Sequence, residues 1–151
     1  MVHLIYCDKK AKVLDKLLEG SKTMIIRGAA GRTFPHSRVF PGEIAYFIVN
    51  DGTGLIRAKG KIKTAFSSEK MTEEESKALV ATNSEKLNLT PAQTERWAGK
   101  KFLVLVEVTE IETIAPLEME HQKNMDDWLI LEKIEDVLVG TAKPYEYVKI
   151  K

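Results

Sequence analysis

Lysine and arginine recur in this chain at spacings suited to holding a phosphate. Lys22 and Arg27 bracket an apolar run in 20-GSKTMIIR-27. A lysine is a compact positive charge, and an arginine is a planar fork that fits a phosphate or a base edge. Their positions differ in parity, so on a regular strand they point to opposite sides. One then enters a cleft while the other holds the following loop. The competing reading makes Arg27 structural, paired with a buried carboxylate. A second set is Arg57, Lys59, Lys61 and Lys63, alternating with Ile56, Ala58, Gly60 and Ile62. Side chains two apart in a strand share a face, so the four cations line one side. That side is either a solvated outer strand, protected by its lysines, or a stripe that tracks a phosphate backbone. The loop 32-RTFPHSR-38 supplies the third set. Arg32 and Arg38 can meet phosphate and Phe34 can stack on a base, or Phe34 can plug the core. Lys100 and Lys101 add weakly to the basic face. Trp97 and Trp128 read as core residues, and one of Tyr46 and Phe47 as a cleft wall.

The chain has 151 residues, 44% hydrophobic and 30% charged, which is an ordinary globular composition for one domain over 1–151. The net charge is only +1, but residues 1–70 hold 13 Lys/Arg against 6 Asp/Glu, whereas residues 71–151 hold 10 against 16. A basic face attracts anions even when the total is near zero. The expected partner therefore carries phosphate groups. His3, His36 and His121 are scattered, without HxxH or CxxC spacing, so neither a metal nor another cofactor is called for. No P-loop, GxGxxG or GxSxG motif occurs, and 28-GAAG-31 offers at most a backbone anion nest. Cys7 is the sole cysteine, which rules out an internal disulfide and suits a reducing, cytoplasmic setting. Its expected place is buried, near a strand end. No apolar run approaches the roughly 20 residues of a membrane span, and the N-terminus lacks the form of a secretion signal.

These residues need elements to position them. A strand is expected over 2–6 and an amphipathic helix over 9–19, with Asp8 as its cap and Gly20 as its stop. Strands follow over 22–27, 43–49 and 55–66, the last two joined by the reversal 50-NDGTG-54. One helix is expected over 72–87, opened by a capping box at Thr72, and a second from Thr90-Pro91 to about Gly99. The longest strand spans 101–114, apolar on both faces in its first half and therefore central. Two more runs, 128–134 and 145–151, complete the chain. The connections are too uneven for a doubly wound sheet. The expected class is α+β: a mixed, mostly antiparallel small barrel with surrounding helices and a helical insertion at about 71–99.

Gly20, Lys22 and Arg27 fall at three positions of a Gly-x-Lys-x-x-Glu-x-Arg pattern, and a Pro-Gly-Glu turn at 41–43 opens a strand. In this order, with a Trp-bearing segment late in the chain, the sequence resembles the ASCH domains, a branch of the PUA-like superfamily. The resemblance covers nearly the whole chain. It implies a PUA-like β-barrel with a cleft that commonly takes RNA or nucleotides, with Lys22 and Arg27 anchoring the site. Ile25 stands at the pattern's Glu position, which some members replace by a nucleophilic Thr. Ile25 can neither attack nor accept a proton, and alternation turns Thr23 away from Lys22. Two other readings stay open: an amidohydrolase of a modified nucleoside working through Lys22, and a protein-interaction module using the acidic helices of 71–99.

Overall fold

The computed structural model describes residues 1–121 and 126–143. Six strands form one sheet: β1 (Val2–Cys7), β2 (Met24–Ala29), β3 (Ile44–Val49), β4 (Leu55–Ser67), β5 (Phe102–Glu118) and β6 (Trp128–Leu131). Their order is β2-β5-β4-β3-β1-β6. Only β1 and β3 run parallel, Val2 opposite Ile44 through Cys7 opposite Val49, and the other pairings are antiparallel. The result is a mixed-sheet half-barrel with four helices, the α+β class expected. The run 145–151 lies outside the described residues.

Alternation sorts the strands' apolar residues onto two faces. Ile5, Cys7, Ile25, Phe47, Val104, Val106, Trp128 and Ile130 share the inner cluster with Val13, Leu14 and Leu17 of helix α1 (Val13–Glu19). The residues alternating with them point outward. Met24, Ile26, Leu103 and Leu105 pack beneath the helical insertion with Val80, Leu87 and Trp97. Leu4, Ile48, Ile56, Leu129 and Leu131 pack with Ile134 and Val137 of the short 3-10 helix Ile134–Val137. Among the described residues, no helix is long and apolar enough to cross a membrane.

Local chemistry sets the element ends. Helix α1 is shorter than the spacing predicts. Asp8 Oδ1 accepts from Ala11 N at 3.1 Å, but Lys12 adopts a left-handed φ of 52°, so the helix proper starts at Val13. Gly20 ends it at φ 83°, a conformation that suits glycine. The expected 72–87 helix is two pieces, α2 (Glu73–Thr82) and α3 (Ser84–Leu87). Thr82, Asn83 and Ser84 are short polar residues that compete for backbone groups. Asn83 Nδ2 donates to Leu79 O at 2.9 Å, and the helix breaks there. Both capping boxes form, at Thr72 with Glu75 and at Thr90 with Gln93, and the second opens α4 (Pro91–Trp97). Strand β5 runs through Pro116 to Glu118. The ladder tolerates the missing N–H because its register shifts between the Ile56–Leu117 and Ala58–Thr113 pairs. Gly60 is required where β4 and β5 come closest: a Cβ there would lie 2.9 Å from Thr109 O.

Candidate nucleic-acid interface

Arg27 makes a polar bridge between the sheet's two ends, β2 and β6. Arg27 of β2 donates from Nη2 to Tyr6 O of β1 at 2.8 Å and from Nη1 to Ile26 O at 2.9 Å. Its Nε lies 3.0 Å from Asp127 Oδ2, an ion pair without hydrogen-bond alignment, and its guanidinium sits 5.6 Å over the Trp128 ring. Tyr6 N donates in turn to Asp127 O at 3.0 Å. Arg27 thus closes the seam of the half-barrel.

Two cavities open on this seam and share Arg27, Arg96, Trp97 and Asp127. The smaller, about 260 Å³, lies between the ends of β2 and β5 and the loop after β2, with Phe34, His36, Lys100 and Phe102 in its wall. The larger, about 870 Å³, runs along the turn after β1 and the start of α4, past Asp8, Lys9, Lys10 and Gln93. Ile25 faces the larger cavity, so hydrocarbon stands at the position where the ASCH pattern has its Glu. Helix α4 brings Arg96 to the junction, where its guanidinium lies 4.3 Å over the buried Trp97 ring.

Of the residues singled out from sequence, Arg27 and Phe34 line these cavities, and so does Lys100. Lys22, Arg32, Arg38, Arg57, Lys59, Lys61 and Lys63 are not in either wall. Lys22 is only 3% exposed, and its ammonium donates to Leu87 O at the end of α3. Burial, with the nearby Lys16 and Arg27 charges, lowers its pKa to about 8. Cys7 is buried at the end of β1, and burial pushes its thiol up to about 12 against the pull of Arg27 and Lys22. Arg32 is exposed, 3.1 Å from Glu69 and 5.7 Å over the Phe102 ring. Arg38 is half-buried in the loop before β3. Lys59 and Lys61 lie on the outer face, opposite Glu112 at 3.9 Å and Glu110 at 3.7 Å. Arg57 is half-buried at a register shift of β4, and Lys63 is exposed.

Sequence reasoning passed over Arg96 and Asp127, and it gave Lys9 and Lys10 no role beyond the helix expected over 9–19. The one available signal for Arg96 was its place beside Trp97 at the end of a capped helix. Nothing local marks Asp127, whose role depends on β6 lying across the seam from β2.

No family model and no curated protein matches the sequence. Among solved structures, the ASCH protein from Zymomonas mobilis superposes with a TM-score of 0.65 at 11% identity, covering 87% of this chain and 88% of that one. A single-residue mutant of that protein gives 0.65 at 11% identity over 87% and 91% of the two chains. A second mutant gives 0.62 at 10% identity over 87% and 89%. The half-barrel, its mixed strand order and its helices therefore share the fold of that ASCH protein.

Proposed function

We propose that this chain binds single-stranded RNA or a nucleotide-like ligand in the seam cleft. The observation that carries the reading is the charge of the joined cavities. Lys9, Lys10, Arg27, Arg96 and Lys100 face Asp8 and Asp127, five cations against two carboxylates, beside the aromatic Phe34 and Phe102. A cleft lined by one sign of charge with apolar walls concentrates anions. Aromatic side chains beside a basic groove are what sequence-tolerant binding of unpaired bases requires. The resemblance to ASCH domains, whose members commonly take RNA or nucleotides, supports the same ligand class.

The test is fluorescence anisotropy with a labelled single-stranded RNA across a salt series. Affinity should fall with a log–log slope of about −0.7 per phosphate contacted. The double variant Lys9→Glu/Lys10→Glu should weaken binding and flatten that slope. Binding that ignores salt, or is unchanged in the double variant, would remove the cleft reading.

A further inference from the structure

Three arginines lie on three aromatic rings around the seam: Arg27 on Trp128 at 5.6 Å, Arg32 on Phe102 at 5.7 Å and Arg96 on Trp97 at 4.3 Å. Two of them also have carboxylates, Asp127 for Arg27 and Glu69 for Arg32. Arg96 differs. Among the described residues it has neither a hydrogen bond nor an ion pair, and it lines both cavities where they meet. Lys100 stands in the smaller cavity's wall, exposed and likewise without an ion pair among the described residues.

A guanidinium stacked on a ring is held in orientation but keeps its N–H edge available, and that edge fits a phosphate in a bidentate manner. Because Trp97 already restrains it, Arg96 loses little side-chain freedom on binding. The cavity behind it is about 260 Å³. That is below the roughly 300–1,000 Å³ of pockets for drug-sized ligands, and it suits a single base better than a longer stretch of strand. Phe34 supplies an aromatic wall and Val104 an apolar one.

Resting on the reading of the cleft as a nucleic-acid site, we infer that the smaller cavity takes one unstacked base of single-stranded RNA, with Arg96 and Lys100 holding the adjoining phosphate at its mouth. The flanking nucleotides follow the larger cavity toward Lys9 and Lys10. The helical insertion thereby becomes half of the binding site, because α4 carries Arg96.

The experiment compares a labelled RNA heptamer with seven versions, each abasic at one position. One version should bind about tenfold more weakly than the intact strand, and the others close to it. Phe34→Ala should erase that difference. Arg96→Glu should weaken the intact strand about tenfold or more, and Arg96→Gln should weaken it less. Circular dichroism melts check that the substitutions at exposed Arg96 and half-buried Phe34 leave the fold intact. The inference is overturned if all abasic strands bind like the intact one, or if Arg96→Glu and Arg96→Gln both bind like wild type. In either case binding that still depends on Lys9 and Lys10 leaves the cleft reading standing. No binding of any RNA removes both.

Discussion

Arg27 holds its own molecule together before it holds any ligand. Two backbone carbonyls, one carboxylate and one indole surround its guanidinium, on strands from opposite ends of the sheet. The sequence pattern identified this arginine as special but could not separate anchoring a ligand from closing a seam, because the partners lie about twenty and one hundred residues away. Lys22 shows the same limit. Its spacing pointed to a cleft, yet its ammonium meets the Leu87 carbonyl and helps to end α3. This makes a pH prediction. The folded pKa of about 8 lies below the ordinary lysine value of 10.5, so the fold disfavours the charged form. Between those two values the unfolded chain binds the extra proton, and stability from this group must rise with pH. Below about pH 8 the full penalty of a buried ammonium is present. Urea unfolding at a series of pH values should show an upward trend from pH 8 toward 10 in wild type. The trend should shrink in Lys22→Met, and an identical profile in the variant would assign the slope to other groups. Arg96 illustrates what escaped the sequence. An arginine beside a tryptophan at the end of a capped helix marks no site by itself, and only the fold shows that this pair faces the seam.

At the scale of elements, most of the framework was legible and the boundaries were not. Both capping boxes, the Gly20 stop and the Asn50–Gly54 reversal stand where short-range chemistry places them. Where the reading differed, a competing local effect won: the left-handed Lys12, the Asn83 break, and a ladder irregular enough to admit Pro116. What ties β1, β6 and the entry to β3 together was not legible at all. Trp128 Nε1 donates to His3 Nδ1 at 3.0 Å, which makes His3 Nε2 the N–H that donates to Glu43 Oε1 at 2.9 Å. The N-terminal ammonium lies 3.0 Å from Glu43 Oε2. His3 is therefore neutral in the fold, since a second ring proton would displace the indole. Burial lowers its pKa, against the opposing pull of Glu43. Burial alone would raise the Glu43 pKa, but the hydrogen bonds from His3, the N-terminus and Phe40 outweigh it and the net shift is downward. Both groups have folded pKa values below their unfolded ones, so both contribute stability that is complete above those unfolded values. The His3 share should decline as pH falls below about 6.5, and the Glu43 share below about 4.5. Thermal melts from pH 7 to pH 4 should show a falling midpoint, and the fall between pH 6.5 and 5 should be smaller in His3→Gln. An equal fall in the variant would separate the acid sensitivity from this network.

For the whole molecule, charge segregation in the sequence and charge segregation in space are different things. The basic front half and the acidic back half predicted one broad positive face. Antiparallel pairing of β4 with β5 sets part of that charge against its opposite, Lys59 against Glu112 and Lys61 against Glu110. The outer wall is thus balanced at Lys59 and Lys61, while the seam keeps an excess of cations because its walls come from the turn after β1, β2, α4 and the start of β5. Two sets of charge reversals should therefore have opposite consequences. In Lys59→Glu/Lys61→Glu the new carboxylates face Glu110 and Glu112. Exposed pairs of this kind contribute roughly 0.2–1 kcal/mol each, so the variant should lose about 1 kcal/mol in chemical denaturation. Its RNA affinity should stay within about twofold of wild type, after allowance for the lower net charge. Lys9→Glu/Lys10→Glu should do the reverse, with little change in unfolding midpoint and a large loss of affinity. If the outer-wall reversal abolishes binding and the seam reversal does not, the phosphate backbone follows β4, and the route through the seam is wrong. A fold whose two edge strands are bridged by an arginine has a natural groove at that bridge, and with Lys59 and Lys61 set against carboxylates on the outer wall, the groove is where cations unpaired among the described residues gather.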